Sequence, residues 1–144
     1  MKIFEIDEDT IAIILDKGDK IIESLKKASD KLNISGYFNG IGATKWVELA
    51  YGDAKEGKYL IKRIEEECEI LALNGNVTKN NLGETIIHAH IILGKRDYSV
   101  IGGHLVEGEI SITAEIFFKK TKTTLIREKV EGTEFQLIKH IKEE

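Results

Sequence analysis

The chain has 144 residues, the size of one domain, and residues 1–144 read as a single unit able to bury its own core. Its 42% hydrophobic and 32% charged residues exclude a disordered or fibrous class. The net charge of −4 argues against a surface built to neutralise phosphates.

The single cysteine, Cys68, cannot form an internal disulfide, and its thiolate is disfavoured by Glu67 and Glu69. Met1-Lys2-Ile3-Phe4 does not open an apolar leader, and charged residues or glycines interrupt every apolar run, so a cytoplasmic protein outside the membrane is expected. Eighteen lysines stand against three arginines, with no proline, a composition of thermophiles or of AT-rich genomes.

In chain order, Lys2 to Ile6 and Thr10 to Leu15 flank an Asp7-Glu8-Asp9 turn and predict an opening hairpin. Behind Asp19, a predicted N-cap, Ile21, Ile22, Leu25, Ala28 and Leu32 recur at helical spacing up to Asn33. Gly36 to Gly42 is punctuated by glycine. Strands are then expected over Thr44 to Tyr51, Lys58 to Ile64, Glu69 to Val77, Thr85 to Leu93, Tyr98 to Gly102, Glu109 to Phe118 and Thr123 to Arg127. Phe135, Leu137, Ile138 and Ile141 suit a short closing helix or an apolar tail. The expected class is α+β, a mainly antiparallel sheet with one long helix and one or more short ones. Glu65-Glu66-Glu67 and Lys119-Lys120 read as solvated loop or strand ends.

Ile86-Ile87-His88-Ala89-His90-Ile91-Ile92-Leu93 carries the strongest chemical signal. Side chains two apart on a strand share a face, so His88 and His90 project together while Ile87, Ala89, Ile91 and Leu93 make an apolar opposite face. A turn around Gly94 to Asp97 would bring the next strand back antiparallel, which permits His104 of Gly102-Gly103-His104-Leu105 to sit beside them. Three neutral imidazoles form a ligand set for Zn²⁺ with one position left open. The competing reading is a set of buried histidines satisfied by carbonyls or carboxylates.

On Ser111-Ile112-Thr113-Ala114-Glu115, alternation puts Glu115 on a polar face. There it is a candidate acceptor for a histidine N–H, a candidate base for a metal-bound water, or a solvated residue without a special role. Gly40, Gly42, Gly102 and Gly103 lack a dinucleotide or P-loop fingerprint. They read as positions of positive φ or of close backbone approach to a bound group or another subunit. His140, between Lys139 and Ile141, reads as an exposed surface residue.

Taken together, Gly40-Ile41-Gly42, Glu69-Ile70-Leu71-Ala72-Leu73-Asn74-Gly75-Asn76, His88-Ala89-His90, Gly102-Gly103-His104-Leu105 and Gly108 with Glu115 resemble the PPC domain, also called DUF296. That domain is shared by plant AT-hook proteins and by stand-alone bacterial and archaeal proteins. The resemblance runs from about Phe4 to Leu125. It implies a homotrimer with the three histidines near a subunit boundary, able to take up a metal, zinc above all. The AT-hook that grips DNA in the plant proteins is absent, because Arg63, Arg96 and Arg127 are isolated and no proline exists.

Three functions fit these residues. The first is a metal-binding trimer with a regulatory or small-ligand-binding role. The second is a zinc-dependent hydrolase or lyase acting on a small molecule. The third is a nucleic-acid-binding regulator acting through the trimer surface, disfavoured by charge; by itself the chain is expected to bind duplex DNA weakly and without sequence preference.

Overall fold

The structure, a computed structural model, describes residues 1–143. Its elements are β1 (Lys2–Glu5), β2 (Thr10–Asp16), α1 (Ile21–Leu32), β3 (Gly36–Asp53), β4 (Lys58–Ile64), β5 (Cys68–Asn80), β6 (Thr85–Gly94), β7 (Val100–Lys120), β8 (Leu125–Lys129) and β9 (Gln136–Ile141). The strands run in the order β1-β2-β7-β3-β5-β8-β9, with β4 on β3 and with β6 between β5 and β7. Because β7 pairs with both β3 and β6, and β5 pairs with both as well, these four strands close into a ring. All these pairings are antiparallel except β5 with β8.

The expected α+β balance does not hold. The chain is 64% strand and 8% helical, and among the described residues its helix is α1, 12 residues long. Two of the expected strands and their neighbours merge into long bent ones: β3 takes in the glycine-punctuated segment and reaches 18 residues, and β7 reaches 21. Register shifts at Gly40/Gly42, Gly42/Thr44, Thr44/Trp46 and Glu48/Leu49 let them bend without ending. The closing helix is also replaced by a strand. Ile138 and Ile141 have helical spacing, but β8 presents a free edge, and Gln136–Ile141 satisfies its backbone groups by pairing there, from Leu125 opposite Ile141 to Lys129 opposite Gln136.

Helix α1 lies on one face of the ring because Ile21, Leu25 and Ala28 form an apolar stripe that is wholly buried. Beneath it lie Ile13 and Leu15 of β2, Ala89, Ile91 and Leu93 of β6 and Ile116 and Phe118 of β7, with Phe118 stacked on Phe38 at 6.2 Å. Asp19 is not the N-cap. Its carboxylate accepts from the Asp16 amide at 2.9 Å and pairs with the terminal ammonium at 3.0 Å, while the N-cap is Lys20, which offers no side-chain acceptor. Glu107 of β7 supplies the acceptors instead: its two carboxylate oxygens take the amides of Ile22 and Glu23 at 2.9 and 3.1 Å. Glu107→Ala is therefore expected to destabilise the fold by about 1–2 kcal/mol, read as a lower urea midpoint at unchanged slope. An unchanged midpoint would mean that water replaces the carboxylate without cost.

Candidate metal centre

The local sequence of β6 sets its two faces. Ala89, Ile91 and Leu93 are at most 1% exposed in the core under α1, so the strand period turns His88 and His90 to the far face. Directly paired residues share a face, and Phe117, Asn39, Asn74, His90 and His104 form one row across β7, β3, β5, β6 and the returning start of β7. His104 thus stands opposite His90, and His88 follows one step along the same face. Ring centroids lie 5.1 Å apart for His88 and His90, 5.2 Å for His88 and His104, and 5.7 Å for His90 and His104. One nitrogen from each ring falls within 4.8 Å of the others.

Glycines make this convergence possible. A Cβ on Gly102 would lie 2.6 Å from the Ile91 carbonyl oxygen, and one on Gly75 would lie 2.2 Å from that of His88, so both strands flanking β6 reach it only without side chains there. Gly40 and Gly42 stand in the same relation to Glu115 and Thr113 of β7, at 2.8 and 2.3 Å, and Gly103 approaches the Ala50 carbonyl at 3.2 Å. In one copy of the chain, the close approaches at Gly40, Gly42, Gly102 and Gly103 are to neighbouring strands, and none of the four has positive φ.

Residues that the sequence did not single out complete the surroundings. Tyr59 of β4 stacks on His104 at 4.7 Å, and Phe135 packs edge-on against Tyr59 at 5.1 Å. Arg127 of β8, only 6% exposed, donates from Nη2 to His88 Nδ1 at 3.2 Å and to Asn76 Oδ1 at 3.0 Å, from Nε to Thr78 Oγ1 at 2.9 Å, and from Nη1 to the Gln136 carbonyl at 2.8 Å. Tyr59, His88, His104, Arg127, Glu134 and Gln136 line a cavity of about 170 Å³. An isolated arginine beside the apolar pair Leu125-Ile126 was the available signal for Arg127; Tyr59 had none, since only the fold-back of β4 brings it over His104.

Burial pushes His88 down to about 4, helped by the Arg127 charge and then by the other two histidines. Burial likewise lowers His104, with His90 adding to it, and lowers Arg127. Near neutral pH His88 and His104 are therefore uncharged, each with one ring lone pair, and that of His88 is taken up by Arg127. Glu115 is not in this cavity. It lines a separate hollow of about 390 Å³ with Asn39, Ile41, Leu71 and Phe117. His140 is exposed on β9, 3.2 Å from Glu128. Cys68 is buried, and burial followed by the Glu66 charge raises its thiol.

A bent antiparallel ring carrying three convergent histidines on the face away from its helix defines the class of protein. The profile of the Plants and Prokaryotes Conserved (PCC) domain matches residues 5–122, and the chain belongs to that family. Among solved structures it is similar to a Pyrococcus horikoshii plant- and prokaryote-conserved protein, 28% identical over 98% of this chain and 95% of that one, with a TM-score of 0.82. It is also similar to a metal-containing protein of Archaeoglobus fulgidus, 27% identical over 97% and 100%, with a TM-score of 0.83. A Bacteroides thetaiotaomicron protein described as a "putative dna binding protein" shares the fold, at 24% identity over 96% of each chain and a TM-score of 0.90. No curated protein sequence matches. Among the described residues, no helix is long and apolar enough to cross a membrane.

Proposed function

We propose that this chain is a metal-binding assembly protein: His88, His90 and His104 hold one divalent ion per copy, and three copies associate through the sheet face that carries them, in a regulatory or small-ligand-binding role. The convergence of the three rings carries this reading. The donor chemistry fits zinc, which takes neutral imidazoles in sets of three where a further ligand is to bind. The similarity to a metal-containing protein of A. fulgidus supports it. For association, the support is the exposed apolar surface continuous with the histidine row: Tyr37, Ile41, Leu71, Ile92 and Phe117 are each 47–57% exposed. A second copy is its proposed occupant, and the homotrimer is what the family resemblance implies. Glu115 lies on this surface, so any part it takes at a metal would be played from a neighbouring copy.

The expected result is one equivalent of zinc per chain in protein purified without chelator, and a light-scattering mass about three times 16.2 kDa. Absence of metal under those conditions overturns the first half of the reading. A mass of 16.2 kDa overturns the second.

The cavity beside the histidines favours one further reading, a zinc-dependent hydrolase or lyase for a small molecule, with Glu134 as the carboxylate lining that cavity. Nucleic-acid binding draws support from the DNA-binding description of the Bacteroides relative, and against it stand the net charge of −4 and the three isolated arginines. Steeply salt-dependent retardation of plain duplex DNA would favour it.

A further inference from the structure

Arg127 is a buried cation without a buried anion. Its four partners, Thr78, Asn76, His88 and the Gln136 carbonyl, are all uncharged, and no ion pair among the described residues includes it. A guanidinium so placed is costly unless something compensates it. It also has no lone pair, so in its contact with His88 the imidazole Nδ1 must be the acceptor.

That direction conflicts with metal ligation. If a metal takes Nδ1, the lone pair that Arg127 uses is gone. If a metal takes Nε2 of the neutral ring, the proton sits on Nδ1 and faces an N–H of Arg127. By either nitrogen, neutral His88 serves a metal only when Arg127 lets go of it. Loading then puts a divalent charge, uncompensated by three neutral ligands, beside a guanidinium with a freed Nη2–H, in a cavity of about 170 Å³ lined by Arg127, His88 and Glu134, an exposed carboxylate that accepts the Tyr59 amide at 3.3 Å.

Resting on the metal reading above, we propose that this is an anion-coupled metal site: the metal displaces Arg127 from His88, and the released guanidinium takes a small carboxylate or similar oxyanion in the cavity. A planar carboxylate matches the fork of donors that arginine presents, and charge-assisted bonds of this kind are the stronger ones. Arg127 is thus a brake on metal binding when no anion is present and a ligand-binding residue when one is. By linkage, the metal must tighten the anion by the same factor as the anion tightens the metal.

The test is a Co²⁺ titration of the full chain against a chromophoric chelator at fixed ionic strength, with acetate or its neutral isostere acetamide. Acetate is expected to tighten Co²⁺ binding about 5–20-fold, within the usual range of coupling, and acetamide to leave it unchanged. In Arg127→Gln, Co²⁺ alone is expected to bind more tightly than in the wild type, and the acetate effect is expected to disappear. Equal acetate effects in the two proteins, or equal effects of acetate and acetamide on the wild type, overturn the coupling; the first comparison separates Arg127 from direct ligation of the metal by acetate, and the second can still overturn the coupling if Arg127→Gln fails to fold. Failure of the wild type to bind Co²⁺ at all overturns the metal reading itself, whereas metal binding that ignores acetate overturns only the coupling.

Discussion

His90→Ala is expected to weaken zinc binding by more than about 100-fold, a larger loss than removal of the groups that merely orient a ligand. It should do so with little change in fold stability. His90 is exposed and on the face away from the core, so the substitution deletes a proposed ligand without opening a cavity under α1. The control is His140→Ala, in which metal content should not change, because His140 lies on β9 beside Glu128 and away from the cluster. Metal content and circular dichroism measured on both variants check this. Equal loss in the two would mean that the metal sits on surface histidines at large, and retention in His90→Ala would mean that the three rings are not its ligands.

Gly75→Ala should disrupt the same site without touching any of the three histidines. Its Cβ would lie 2.2 Å from the His88 carbonyl oxygen, 2.5 Å from Phe38 Cζ and 3.0 Å from Ala89 Cα, so β6 must move away from β5 or the Phe38 ring must leave the core. Overpacking against backbone on this scale costs about 2–4 kcal/mol. A reduced urea midpoint together with weakened zinc binding is the expected pair of results. Gly83→Ala separates backbone strain from displacement: Gly83 has φ +80° with nothing within 4 Å, so it should cost about 1–2 kcal/mol and leave zinc binding intact. If Gly75→Ala folds as stably as the wild type, the close approach of β5 to β6 does not hold the site together.

These two outcomes probe different depths of legibility. The pairing of His88 with His90 was readable because a strand's period of two is a local property, and the apolar partners Ala89, Ile91 and Leu93 reveal which way the strand faces. The helix over Ile21–Leu32 was readable for the same reason, from its apolar stripe. Its cap was not. Asp19 is a good local candidate, yet the amides of Ile22 and Glu23 are taken by Glu107, 85 and 84 residues away, because β7 passes the helix start. At the C-terminus local spacing pointed to a helix, and an edge of β8 in need of hydrogen bonds decided for a strand. The balance of fold classes tipped with it.

Short windows of the chain were enough for the alternation that puts two histidines on one face, for the apolar stripe of α1, and for the glycines that allow strands to come close. All three follow from backbone periods and from the size of a side chain, which a few neighbouring residues carry among themselves. It took the assembled sheet to stand His104 opposite His90, to stack Tyr59 on it, to bury Arg127 against His88, and to leave Glu115 lining a different hollow. Each of those depends on strands distant in the chain meeting in one register, and register is set by bulges and cross-strand packing summed over the whole ring.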